Sequence, residues 1–345
     1  MKIKIQFSPE TLIFRKPFVL AHGVRNETPC LKIRIYHASG AVGLGESALP
    51  PYLNLNPVSA IEEIQKNLSD EELFFDQVEK SAPDFGKIQG LNLPNPVKAG
   101  LEMALTDLWG KVHQRSARQL FFQEPINPLP SSFTITSSLL DYPFNPDALA
   151  LFPLIKVKLG TVRDKEFITQ IVKNIEVPVA IDANGGWQTT EEVFRVIDWL
   201  GEKHPVYIEQ PFPPGKEWLN QDLLKNLSVP IVGDESIKTQ DDYMKLGDYF
   251  SGINIKLMKC GGIKPALELI RAAKEDGKFT LTGCMSESSC GIAAALIPAS
   301  LCDSCDLDGP LLISNDGYEG VAYEKGSVKL KNPDAAGLGI REKQK

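Results

Sequence analysis

The chain has 345 residues, 37 basic against 44 acidic side chains and a net charge of −7. That length can bury a sizeable core and points to two domains, while the acidic balance and the lack of a basic cluster exclude nucleic acid as a partner. No apolar run is long enough to span a bilayer, which argues against a membrane partner, and the opening MKIKIQFSPE alternates like a short strand rather than a signal peptide.

Residues 1–48 predict a three-stranded antiparallel meander, KIKIQFSP, TLIFRKPFVL and CLKIRIYHASGAVGLGESA, with turn residues between alternating apolar runs. LPPYLNLNP (49–57) reads as loop. Helices are expected at 58–83 and 96–115, the second carrying Ala99, Met103, Ala104, Leu108 and Val112 on one face. Pro125, Pro128 and Pro130 mark 116–130 as a linker.

From 131 a strand–helix alternation begins. Its strands are SFTITSS, LIKVKLG, VPVAID, PVYIEQ, VPIVGD, GINIKLM, FTLTGC and SCDLDGP, with GIAAALIPASL as the helix before the last of them. No GxGxxG or P-loop follows any strand, so a closed barrel is expected rather than an open nucleotide-binding sheet. After Pro310 the glycine-rich tail is expected to return as strands to the first domain. The expected division is therefore 1–125 as a first α+β domain, 126–310 as the barrel, and 311–345 as the returning tail.

The six cysteines lie mostly in apolar segments without a secretory context, so they read as reduced and structural, as in a cytoplasmic protein. Cys302 and Cys305 form a lone CxxC, weak evidence for zinc. The four histidines are scattered and build no metal site from sequence neighbours.

The chemistry lies in charged residues at the ends of the barrel strands. Lys158, Asp182, Glu209, Asp234 and Lys256 are separated by 24, 27, 25 and 22 residues, steps that fit successive βα units. Side chains at the C-terminal ends of such strands converge at one mouth, where barrel enzymes do their chemistry. A single acid there is more often a helix N-cap than a ligand. Three at near-constant steps, in AIDAN, IEQP and GDES, repel one another unless a cation neutralises them, and oxygen-only donors favour a hard ion such as Mg2+. Lys156 and Lys158, two apart on a strand, share a face. Lys256 comes from the far side of the barrel, so that Lys158 and Lys256 suit a two-base epimerisation. Lys259 is expected in the loop that follows.

KVK, IDAN, IEQP, GDES and IKLMKCGG together resemble the enolase superfamily, in its muconate lactonising enzyme subgroup, over nearly the whole chain. The resemblance implies an α/β fold: a modified (β/α)7β TIM-type barrel with an α+β capping domain built from the N-terminal segment and the C-terminal tail. It implies one Mg2+ per subunit on Asp182, Glu209 and Asp234, acid/base lysines at Lys158 and Lys256, and an enediolate intermediate. On the eighth strand, Asp306 and Asp308 resemble the Asp-x-Asp of dipeptide epimerases of the L-Ala-D/L-Glu type, where it binds the amine of a dipeptide; two acids at i, i+2 share a face. Thr134, Lys156, Cys284, Met285, Ser286 and Arg25 complete the candidate substrate contacts.

In relatives acting on Ala-Glu a capping-loop arginine meets the glutamate; the corresponding position here is Gly23, with Arg25 two residues on. A neutral or hydrophobic second residue is therefore expected, near Phe18, Val19 and Leu20. The alternatives are an o-succinylbenzoate synthase or cycloisomerase of the same subgroup, or a catalytically silent binding protein. A homo-oligomer is compatible with the sequence.

Overall fold

The computed structural model describes residues 4–68, 78, 82–141 and 145–344. The chain opens with an antiparallel sheet of β1 (Lys4–Leu20), β2 (Gly23–Tyr36) and β3 (Val42–Ala48), in that order. The three strands are cut differently from the expectation. Pro9 does not end the first one, because it pairs opposite Leu31 on an edge strand, where a proline is tolerated. The third expected run contains a turn at His37–Ala41, closed by the His37 N–H donating to the Ala41 carbonyl (2.9 Å), and so yields parts of two strands.

Helix α1 (Pro57–Asn67) starts at a capping box in which Asn56 accepts from the Ser59 N–H and the Ser59 hydroxyl faces back. The later part of the helix expected to reach 83 falls mostly on residues 69–77 and 79–81, outside the described residues. α2 (Phe85–Gly90) and α3 (Asn95–His113) follow. α3 lies so close to β3 that a Cβ on Gly45 would stand 2.1 Å from the Gly100 carbonyl oxygen. Leu31, Ile33, Ile35, Val97, Leu101 and Leu108, all fully buried, fill the space between sheet and helix; each such side chain contributes about 1.5–3 kcal/mol of burial.

The linker holds a short strand, β4 (Leu129–Pro130). Then come the barrel strands β5 (Phe133–Ile135), β6 (Ile155–Lys158), β7 (Val179–Asp182), β8 (Ile208–Glu209), β9 (Ile231–Gly233), β10 (Gly252–Ile255), β11 (Phe279–Gly283) and β12 (Ser304–Asp306). All eight coincide with the expected runs and pair in parallel in chain order. The barrel closes where the Ser132 N–H donates to the Cys305 carbonyl (3.1 Å), beside a parallel bridge of Ser131 to Cys305. Between the strands run α4 (Pro146–Leu149), α5 (Asp164–Asn174), α6 (Thr190–Leu200), α7 (Asn220–Asn226), α8 (Gln240–Leu246), α9 (Leu257–Cys260), α10 (Ile263–Glu275) and α11 (Ser289–Ala299).

Strand alternation sorts the barrel's side chains. Ile155, Val157, Val179 and Ile181 pack in one cluster with Phe167, Ile168 and Ile171 of α5. Their strand neighbours face the interior, where Leu154, Ala180, Tyr207, Val232 and Leu281 form a separate apolar cluster. Two residues on from Ala180, Tyr207 and Val232 stand Asp182, Glu209 and Asp234, so an apolar floor lies under a charged mouth.

The tail runs through α12 (Gly309–Leu312), β13 (Tyr318–Glu319), β14 (Val321–Glu324), β15 (Ser327–Leu330) and β16 (Arg341–Glu342). β15 pairs with β4, and the tail reaches the first sheet through a bridge of Ile313 to Phe14 and an ion pair of Glu342 with Arg34 (2.5 Å). The hairpin tip between β1 and β2 sits over the barrel. A Cβ on Gly160, whose φ is +89°, would come 3.0 Å from the Ala21 methyl and 2.7 Å from the Ala183 carbonyl, so the loop after β6 passes under the tip only without a side chain. Among the described residues no helix is long and apolar enough to cross a membrane.

Candidate active site

Asp182, Glu209 and Asp234 end or follow consecutive strands β7, β8 and β9, and each offers a carboxylate oxygen within 4.8 Å of the others. Asp182 and Glu209 are 0% exposed and Asp234 2%, whereas Lys158 and Lys256 keep 9% and 7%. The acids thus lie beneath the lysines, which border the open mouth.

Four cations meet these acids, three of them the expected lysines and the fourth Lys259. Lys156 Nζ lies 3.0 Å from Asp182 Oδ2, 2.8 Å from Glu209 Oε2 and 2.9 Å from Asp306 Oδ2. Lys158 donates to Asp182 Oδ2 at 2.5 Å, and Lys256 to Asp234 Oδ2 at 2.7 Å. β6 and β10 stand four places apart among eight strands, so Lys158 and Lys256 approach from opposite sides.

Burial alone would raise every carboxyl here. At Asp182 the neighbouring Lys158 and Lys156 more than reverse that push, and at Asp234 Lys256 and Lys259 do, holding both well below the usual carboxylate range. Glu209 is left on the other side: burial, and then repulsion from Asp182, push it up to about 8. Burial likewise disfavours the Lys156 and Lys256 ammonium groups, but Asp306 and Glu209 for the first, and Asp234 and Glu209 for the second, keep both charged well above their ordinary range.

The donor set fits a hard divalent cation. It is entirely carboxylate oxygen, and Glu209 Oε2, although 2.8 Å from Lys156 Nζ, accepts no hydrogen bond. A buried carboxylate oxygen without a hydrogen bond is costly unless a cation takes it up.

Asp306 ends β12, while Asp308 lies just beyond it at the start of α12. Both reach Thr134: its N–H donates to Asp308 Oδ2 (2.6 Å) and its hydroxyl to Asp306 Oδ1 (3.4 Å). Burial, then Asp306, push the Asp308 carboxyl up to about 7, while at Asp306 burial is overcome by Lys156 and the Ser132 hydroxyl together, which lower it. Cys284 lies beside this pair: burial, then Asp308, raise its thiol well above the ordinary range. Met285 accepts from the Tyr52 hydroxyl at 2.9 Å, which joins the loop 49–57 to the mouth, and Ser286 is buried next to it.

Arg25 turns back along its own hairpin. It donates to the Thr28 hydroxyl and lies 5.6 Å over the Phe14 ring. Phe18 stacks on Phe14 as well (5.2 Å), in the seam with Ile313.

The structure adds residues to those expected. Lys259 is not in a loop but in α9, buried, with its ammonium on Asp234 Oδ1 at 2.6 Å. Asn254 donates to Glu209 Oε1 (2.8 Å), and Ser132 to Asp306 Oδ1 (2.5 Å). Gln210 accepts from the Asp234 N–H (2.9 Å), and Asn184 donates to Glu235 (3.1 Å). Asn254 stands two residues before Lys256, and the i, i+2 rule that paired Lys156 with Lys158 would have found it. Nothing in the spacing marks Ser132 or Lys259.

A family model described as enolase C-terminal domain-like matches residues 147–345. The L-Ala-D/L-Glu epimerase of Bacteroides thetaiotaomicron is 35% identical over 98% of this chain and 88% of its own. The hydrophobic dipeptide epimerase of a Flavobacteria bacterium is 30% identical over 94% of each chain. Among solved structures, the dipeptide epimerase of Methylococcus capsulatus, complexed with Mg and the dipeptide L-Arg-D-Lys, superposes with a TM-score of 0.79 at 26% identity over 99% of each chain.

Proposed function

This chain belongs to the enolase C-terminal domain-like family, and from that premise we propose that it is a Mg2+-dependent dipeptide epimerase inverting the α-carbon of the C-terminal residue. The observation that carries this reading is the pair of lysines on β6 and β10, on opposite sides of one carboxylate cluster. Similarity to dipeptide epimerases over nearly the full chain supports it.

Asp182, Glu209 and Asp234 would hold the metal, which supplies neutralisation of the substrate carboxylate and of the charge that grows on it as the α-proton leaves. Lys158 takes that proton from one face and Lys256 returns one to the other; for the opposite enantiomer the roles exchange. Lys156, fixed on three acids, places a permanent positive charge beside the developing enediolate. Asp306 and Asp308 receive the dipeptide ammonium, with Thr134 setting their spacing, and Cys284, Met285 and Ser286 line the same end. A substrate without an amine would bring no cation to Asp308.

We assign catalysis to 126–310, with 1–125 and the tail 311–345 covering the mouth, and place the protein in the cytoplasm, in keeping with six thiols of which none is paired. For the second residue we favour a neutral or hydrophobic side chain, because Arg25 is engaged by Thr28 and Phe14. The direct test is deuterium uptake from heavy water into a dipeptide library with Mg2+ present, read by mass spectrometry. Exchange at the C-terminal residue's α-carbon is expected; none with any member overturns the proposal.

A further inference from the structure

We propose that Lys259 is a positioning residue for the metal site: it fixes the Asp234 carboxylate, and the capping region in turn fixes Lys259. The inference rests on the metal reading above. Lys259 Nζ is surrounded by four acceptors, Asp234 Oδ1 at 2.6 Å and the carbonyls of Asp234 (2.7 Å), Asn254 (2.7 Å) and Ile237 (3.0 Å). An ammonium has three N–H donors, so none is left for a substrate. Lys256 differs, with Asp234 Oδ2 as its hydrogen-bond acceptor at 2.7 Å. The acceptors of Lys259 come from the turn after β9 and from β10, so one side chain ties together the two strands that deliver Asp234 and Lys256. With Oδ1 held by Lys259, the Asp234 carboxylate cannot turn, and Oδ2 stays directed into the site.

The backbone of Lys259 itself and the turn after α9 are gripped from the first domain. Asn95 Nδ2 donates to the Lys259 carbonyl (2.6 Å), Gln89 Nε2 to the Gly261 carbonyl (2.8 Å), and the Lys264 N–H donates to Glu102 Oε1 (2.7 Å). Gly262, at φ +148°, passes so close that a Cβ there would stand 2.4 Å from Glu102 Oε2.

The test is calorimetric titration of metal-free protein with Mg2+ alone, alongside its melting temperature. Binding by the wild type that is lost in Asp182→Asn establishes the site; no binding by the wild type overturns the metal reading itself. Given that binding, Lys259→Met is expected to weaken Mg2+ at least tenfold, the range seen when a residue orienting a metal ligand is removed. The sign is diagnostic, because deleting a positive charge without a loss of geometry strengthens cation binding. Unchanged or tighter Mg2+ binding in folded Lys259→Met overturns the proposal. Where that variant does not fold, Asn95→Leu decides, since it removes the donor to the Lys259 carbonyl from outside the barrel. A weakening of about threefold is expected, by the same orienting effect at one remove, and unchanged affinity overturns the proposal.

Discussion

Lys156 and Lys158 on β6 face Lys256 and Lys259 at the end of β10, and each pair divides its work between a held lysine and a freer one. Lys156 touches three carboxylates and Lys259 four acceptors, while Lys158 and Lys256 each form a short ion pair with one acid. A lysine held by several partners at once is a fixture; one with a single partner can exchange that partner for a substrate proton. The two held lysines are fixed differently. Lys156 is held by side-chain charge, Lys259 mainly by backbone carbonyls, so the β6 side of the site is set by electrostatics and the β10 side by the geometry of a turn.

The largest effect expected from breaking this arrangement is at the acids both sides share. Asp182→Asn removes the partner of Lys158 and a donor to the metal. Loss of several kcal/mol of charge stabilisation, at 1.4 kcal/mol per tenfold, predicts a fall in α-proton exchange on the order of a thousandfold, together with loss of Mg2+ binding by calorimetry. Retained exchange in that variant would remove the metal from the account.

The freer lysines come next. Lys158→Ala should abolish exchange from one configuration of the C-terminal residue and Lys256→Ala from the other, each by roughly 10²–10⁴-fold, the usual worth of a positioned base. Deuterium incorporation measured separately for L,L and L,D dipeptides reads this out. Loss from the same enantiomer in both variants contradicts the opposition of β6 and β10 as the basis of the reaction.

Asp306→Asn loosens Lys156 and weakens the ammonium subsite at once. A charge-assisted hydrogen bond is worth about 1.5–3 kcal/mol, so KM for a dipeptide should rise about 10- to 100-fold. Asp308 adds a pH signature. Its carboxyl, raised to about 7 by burial and Asp306, is protonated below that value and cannot attract an ammonium there. Dipeptide affinity should therefore strengthen as pH rises through about 7, and Asp308→Asn should flatten that limb; a profile identical to wild type counts against the subsite.

The smallest expected change concerns the hairpin over the mouth. Burying a leucine side chain gains about 1.5–3 kcal/mol, so kcat/KM should favour Ala-Leu over Ala-Glu by about tenfold or more. Arg25→Ala should leave the Ala-Leu rate about as it was, since burial does not involve the guanidinium. A strong Ala-Glu preference that disappears in the variant would show that Arg25 swings into the pocket.

The eight barrel strands were readable because each is a short apolar run ending in a polar residue, a pattern set by period-two alternation within a few neighbours. That Asp182, Glu209 and Asp234 meet between the two lysines was readable for the same reason, with the repeated βα step supplying their common end of the barrel. The meander was readable in kind and not in its cuts, because whether Pro9 ends a strand depends on which edge it occupies.

What the sequence by itself determined is therefore whatever is local or repeats: strand order, barrel closure, and the series of charges at the strand ends. Only the tertiary structure decided the contacts between distant segments. That Ser132 meets Asp306, that Lys259 is saturated by acceptors from the turn after β9 and from β10, that Arg25 folds back on Phe14 and that Asn95 grips the turn after α9 all depend on rotamers and close packing. Those leave no period in the chain, since a hydrogen bond between residues 164 or 174 positions apart is set by where two surfaces meet.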